Sequence, residues 1–184
     1  FASPVQEAVL SIKRTAALLE LRLAELLRPY GVTPTQYNVL RILRGAGSDG
    51  LPRCEVQGRL VAPVADTTRL LDRLEKMGLV SRARNTDDRR VVTSKITPRG
   101  LALLDKVAAP LKKFEEDEVG QVSDARLRSL IGILDEVRRL TPNPGLALGT
   151  AMVQPIVPDV FARPAADGGE AHSAEAVRHR IRQL

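Results

Sequence analysis

The stretch TTRLLDRLEKMGLVSRARNTDDRRVVTSKITPRGLALL, residues 67–104, changes its hydrophobic period twice. Wound as a helix at about 100° per residue, Val64–Met77 places Thr67, Leu70, Leu71, Leu74 and Met77 on one face, which belongs to a core. Ala65, Thr68, Arg69, Asp72 and Lys76 point the opposite way, and Asp66 in the first turn complements the helix dipole. Gly78 is the stop that a helix C-terminus favours. Leu79–Arg84 and Val91–Thr97 are β-prone, the first alternating Val80, Arg82 and Arg84, and NTDDRR (85–90) joins them as a hairpin loop. Thr97 and Pro98 then cap and open a further helix.

Upstream of this stretch the pattern is helical throughout. Apolar residues from Val5 to Leu27 recur at helical spacing until Pro29 and Gly31 end them. TPTQ (33–36) has a capping-box arrangement and opens a second helix to about Leu43, which GAGSDG (45–50) breaks. Pro52 opens a short third helix to about Val61, and Pro63 opens the fourth. Downstream, the helix after Thr97 meets Pro110, where a bend or break is expected before LKKFEEDEV resumes. Ser123 caps a last helix whose stripe is Leu127, Leu130, Ile131, Leu134, Val137 and Leu140.

Three short-spaced helices followed by a two-stranded hairpin describe a winged helix-turn-helix, whose last helix before the wing enters the DNA major groove. The expected fold is mainly α with a small β-wing. The first and last helices carry apolar stripes at opposite ends of the chain, and packing together and against a second copy would cover both in a two-fold dimer. The expected division is therefore 1–29 as an N-terminal dimerisation helix, 30–97 as the winged DNA-binding domain and 98–140 as C-terminal dimerisation helices. Residues 141–184, with scattered Pro, Gly and Ala, read as a mostly disordered tail with a short helix over Ser173–Leu184.

The formal net charge is +6, and most of it is local: residues 53–99 hold eleven Lys and Arg against six Asp and Glu. A basic excess concentrated there is an electrostatic footprint for a polyanion. Aromatic residues are only 3% of the chain, so base stacking on single strands is disfavoured against duplex binding. No apolar run approaches the roughly 18 residues of a membrane span, and the N-terminus has no basic region before an apolar block, so a cytoplasmic protein is expected.

The run from Thr67 to Leu104 resembles the MarR-type bacterial transcription regulators: a TRLLDRLEKMGLV recognition helix, a DDRR wing tip and a capped TPRG helix follow in order. The likeness extends more loosely over about residues 5–140. The resemblance implies a homodimer bound to a pseudo-palindromic duplex, usually a repressor, often released by a small-molecule effector. It transfers DNA contacts to Thr68 and Arg69 in the recognition helix and to Asp88, Arg89 and Arg90 in the wing. Asp88 would orient Arg90 in the minor groove, whose negative potential in A·T-rich DNA attracts arginine, with Arg89 as second choice. Ala65, Asp66, Arg73 and Lys76 complete the expected DNA-binding set. One departure is Ala62 before Pro63, where the family commonly has a small capping residue; alanine has no side-chain acceptor for the helix N-terminus.

Other chemistry is weakly marked. Cys54 is the single cysteine, away from the start of the first helix where a peroxide-sensing member of this family would need one. His172 and His179, both in the tail, are two unaided ligands and make a poor metal site. No nucleophilic triad or phosphate loop is present, so no enzyme, cofactor or metal is expected. Arg14 and Arg22 on the first helix read as solvated rather than as effector contacts, and the effector stays unassigned. The competing function is a winged-helix scaffold binding an acidic protein partner with the same basic face, since fold alone does not decide function.

Overall fold

The computed structural model describes residues 3–84 and 92–141. Its elements are α1 (Pro4–Leu27), a 3₁₀ turn (Arg28–Tyr30), α2 (Pro34–Gly45), β1 (Leu51–Pro52), α3 (Arg53–Arg59), α4 (Thr67–Lys76), β2 (Val80–Arg84), β3 (Val92–Ile96), α5 (Pro98–Val119) and α6 (Asp124–Leu140).

Local chemistry accounts for most of the boundaries. The Ser3 hydroxyl accepts from the Gln6 amide at 3.2 Å and Pro4 takes the first helical position, so α1 is capped from its first turn. The expected capping box of α2 is complete: the Gln36 amide donates to Thr33 Oγ1 at 3.2 Å, and the Thr33 amide to Gln36 Oε1 at 2.9 Å. At the end of α4, Gly78 adopts φ 70°, the left-handed conformation that glycine accepts without a Cβ penalty. The Leu79 amide then reaches the Leu74 carbonyl at 3.0 Å and the Gly78 amide the Glu75 carbonyl at 2.8 Å, a Schellman stop that turns the chain into β2.

The core gathers around α2, whose Val39, Leu40 and Leu43 are fully buried with Leu27 of α1, Val56 of α3, Leu71 and Leu74 of α4, and Leu104 and Val107 of α5. Each such side chain contributes roughly 1.5–3 kcal/mol of burial free energy, so α4 is fixed mainly by its apolar face. Gly100 brings α5 onto this assembly: a Cβ there would overlap the Leu79 carbonyl oxygen and the Ile96 side chain.

Four expectations need correction. The sheet has three strands, in the order β1-β3-β2, because Leu51 and Pro52 pair antiparallel with Ser94 and Thr93. Proline is tolerated in β1 because it is an edge strand. Helix α3 ends at Arg59. Helix α4 begins at Thr67 and not at Pro63: residues 60–66 are a loop, held by the Val61 amide donating to Asn38 Oδ1 at 3.1 Å. Finally, α5 runs unbroken through Pro110. Proline removes one backbone donor there, and the helix persists because Leu104, Val107 and Leu111 on either side are buried.

Where α2 packs on α5, the Arg41 guanidinium carbon lies 5.9 Å from the centre of the Tyr37 ring. Burial pushes the Tyr37 phenol up and the Arg41 guanidinium down from their ordinary pKa values. Burial also raises the Glu115 carboxyl, against the pull of Arg41. Arg22 is not simply solvated, since its Nη2 pairs with Glu118 Oε1 at 2.8 Å and ties α1 to α5. No helix among the described residues is long and apolar enough to cross a membrane.

Candidate nucleic-acid interface

The fixed apolar face of α4 leaves one face of the helix outward. Thr67 is 2% exposed and Leu71 and Leu74 are fully buried, as their helical positions require, while Thr68, Arg69, Arg73 and Lys76 are exposed. Arg69, Asp72, Arg73 and Lys76 line a shallow concavity of about 330 Å³ on that face. Three cations and one carboxylate on an exposed helix give a surface suited to a polyanion.

The N-terminus of α4 is better capped than Ala62 suggested. Asp66 is the N-cap, with Oδ1 accepting from the Arg69 amide at 2.9 Å. Its Oδ2 also lies 3.2 Å from Arg69 Nε, so one carboxylate both caps the helix and steadies the guanidinium. Being exposed, that ion pair contributes little to stability; its effect is on where Arg69 points. Ala65 lies in the loop just before this cap and is exposed, outside the helix to which the sequence assigned it.

Arg82, behind this face, is the residue that sequence reasoning passed over. It shares a face of β2 with buried Val80, and its Nη1 is bonded to Asp72 Oδ1 of α4, with Glu75 Oε2 4.0 Å away. Asp72 is thus paired across to the strand and not with Lys76 one turn along its own helix. The alternation of β2 puts Arg82 in phase with buried Val80, but Arg84 in the same phase is exposed, so the pairing with α4 follows only from the turn between them. Asp88, Arg89 and Arg90 lie outside the described residues.

Cys54 is exposed on α3. Among the described residues no group of three or more His, Cys, Asp and Glu could hold a metal ion. His172 and His179 lie outside them.

Comparison with known proteins places this geometry in a family. The MarR family model matches residues 32–92, from the end of the first connection to the start of β3. The HTH-type transcriptional regulator YsmB of Bacillus subtilis is 28% identical over 133 residues, covering 70% of this chain and 90% of that protein. A MarR transcription factor from Planctomyces limnophilus is 34% identical, with a TM-score of 0.58, over 73% of this chain and 98% of that one. The transcriptional repressor CouR, solved bound to a 23-mer DNA duplex, is 25% identical with a TM-score of 0.61, over 70% and 89% of the two chains. Separately, 24% of this chain is 49% identical over 53 residues to RNA polymerase sigma-54 factor 1 of Bradyrhizobium diazoefficiens, a match to 11% of that protein that carries none of its activity across. On the identity and near-complete coverage of the Planctomyces protein, the chain belongs to the MarR family of transcriptional regulators.

Proposed function

We propose that the protein is a sequence-specific duplex-DNA-binding transcriptional regulator that works as a homodimer on a two-fold site and represses by occupying it. The observation that carries this reading is α4 itself: a helix anchored by Leu71 and Leu74 that presents Thr68, Arg69, Arg73 and Lys76 outward beside the wing. Thr68 is placed to bond a base or phosphate, Arg69 to make the bidentate guanine contact, and Arg73 and Lys76 to meet phosphates. Asp66 acts through Arg69, and Ala65 permits close approach. In the wing, Asp88 would aim Arg90 into the minor groove with Arg89 beside it. That CouR, 25% identical, is solved bound to a DNA duplex supports the DNA-binding reading.

The homodimer rests on α1 and α6. None of the seventeen residues of α6 is buried against the described residues, and Leu130, Ile131, Ile133, Val137 and Leu140 are exposed. The first half of α1 exposes Val5, Val9 and Ile12 in the same way. An isolated helix of this length is marginal in water, so these stripes call for cover, and a second copy offers the same stripes in return. The division proposed is residues 30–97 for DNA and 1–29 with 98–140 for dimerisation. An effector that releases the duplex is part of the proposal, without a chemical class.

Salt-dependent binding to the protein's own promoter region, or to duplexes selected from a random library, tests the reading. Binding that weakens steeply with salt and selects a two-fold sequence supports it. Indifference to duplex DNA refutes it.

A further inference from the structure

We propose that Arg82 is a positioning residue for DNA recognition, which locks the wing onto the recognition helix and masks the two carboxylates that α4 would otherwise turn toward phosphate. The inference deepens the DNA-binding reading above and rests on it.

Three observations meet at this guanidinium. The first is its place: Arg82 sits on β2, opposite the buried Ser94 of β3 in the sheet register, and its side chain is only 19% exposed. Arg69, placed on the outward face, has a side chain 88% exposed. A guanidinium sunk to that depth is poorly placed to reach a phosphate.

The second is its partners. Nη1 is bonded to Asp72 Oδ1 and lies 4.0 Å from Glu75 Oε2, so a single cation faces both acids of α4. Asp72 and Glu75 alternate along the helix with Arg69, Arg73 and Lys76. Without Arg82 the face would carry three cations and two uncompensated carboxylates, one of them lining the concavity between the cations. With it, Asp72 is bonded back to the strand and one guanidinium offsets the charge of both half-exposed acids. A planar guanidinium suits this better than an ammonium, since its donors fork in fixed directions.

The third is the cost of the arrangement. Arg82 Nε is buried and finds no hydrogen-bond acceptor among the described residues. An unsatisfied buried donor is unfavourable, so this placement is poorly explained as a device for stability alone. What the geometry supplies is a fixed angle between two elements that must meet one duplex together: α4 in the major groove and the hairpin in the neighbouring minor groove. With Arg82 in place, errors in the wing's approach cannot accumulate independently of the helix.

The experiment is a mutant cycle read by equilibrium DNA binding of the full chain, on a selected duplex and on a scrambled duplex of equal length. Arg82→Met is made in the natural sequence and in a background carrying Asp72→Asn with Glu75→Gln. Positioning predicts that Arg82→Met weakens the selected duplex about tenfold in the natural sequence, changes scrambled binding far less, and has little further effect once the carboxylates are neutral. An equal penalty in both backgrounds, with the salt slope reduced by about 0.9, would mean that Arg82 touches a phosphate directly and would overturn the proposal. So would a parallel loss on both duplexes accompanied by a lower thermal midpoint, which marks a purely structural role. If the natural protein binds no duplex at all, the DNA-binding reading falls and this inference with it. Natural binding with additive penalties removes only the inference.

Discussion

The Thr97 hydroxyl donates to the Gly78 carbonyl oxygen at 2.7 Å. Thr97 Oγ1 in turn accepts from the Gly100 amide at 3.1 Å, and the Thr97 amide donates to the Leu79 carbonyl at 3.1 Å. One residue therefore joins the end of α4, the end of β3 and the first turn of α5. This junction holds α5 at a set angle to the end of α4.

Thr97→Val keeps the shape and removes both hydroxyl bonds. It leaves the Gly100 amide and the Gly78 carbonyl without that partner. A loss of about 1–2 kcal/mol is expected, read as a lower midpoint in denaturant unfolding with an unchanged slope. Thr97→Ser should recover most of it. Equal stability of the valine and natural proteins would show that solvent replaces the junction.

The buried Tyr37 gives a pH signature. Its folded pKa lies above the ordinary 10.0 because burial disfavours the phenolate. The folded state then holds this proton more tightly than the unfolded chain does. Its contribution to stability is fully present below pH 10 and is lost as the pH rises through the folded value. Unfolding free energies measured from pH 8 to 11 should fall at the alkaline end, and Tyr37→Phe should flatten that part of the decline. An identical alkaline slope in the Phe variant would remove the claim.

The exposed stripe of α6 makes an oligomer prediction. Ile131→Glu with Leu130→Glu places two charges on the stripe at positions that are themselves exposed. Sedimentation should show a dimer for the natural protein and a monomer for the variant, with the helical circular-dichroism signal reduced as α6 loses its cover. A natural protein that is monomeric at tens of micromolar would refute the two-fold model.

The wing tip separates aiming from charge cancellation. If Asp88 orients Arg90, both Asp88→Ala and Arg90→Ala weaken binding to a selected duplex. If Asp88 only offsets positive charge, Asp88→Ala strengthens it, since removing an acid near phosphate is favourable. Anisotropy titrations of the two variants at one salt concentration decide between these outcomes.

Much of the site was legible because its chemistry is local. Thr33 and Gln36 announce their capping box by spacing, Gly78 its stop, and Thr67, Leu71 and Leu74 the buried face of α4 by period alone. The errors came where tertiary context outweighs local preference. Pro63 looks like a helix opener, yet Asp66 three residues later offers a side-chain acceptor that Ala62 lacks, so the helix starts at the better cap. Pro110 looks like a break, but one lost backbone bond is small against the burial of Leu104, Val107 and Leu111. Strand β1 is two residues long, too short for any periodicity, and exists only because β3 offers it an edge. Arg82 read as a wing charge because its partners are ten and seven residues upstream, across a turn whose geometry spacing alone does not give.

The central claim is that α4 reads duplex sequence through Arg69. The most direct measurement is equilibrium binding of the natural protein and Arg69→Ala to a selected two-fold duplex and to the same duplex with the recognised base changed, across a salt series. The account predicts that Arg69→Ala costs about 1–3 kcal/mol on the selected duplex and abolishes the preference between the two. Natural affinity and undiminished preference in the alanine variant would contradict it.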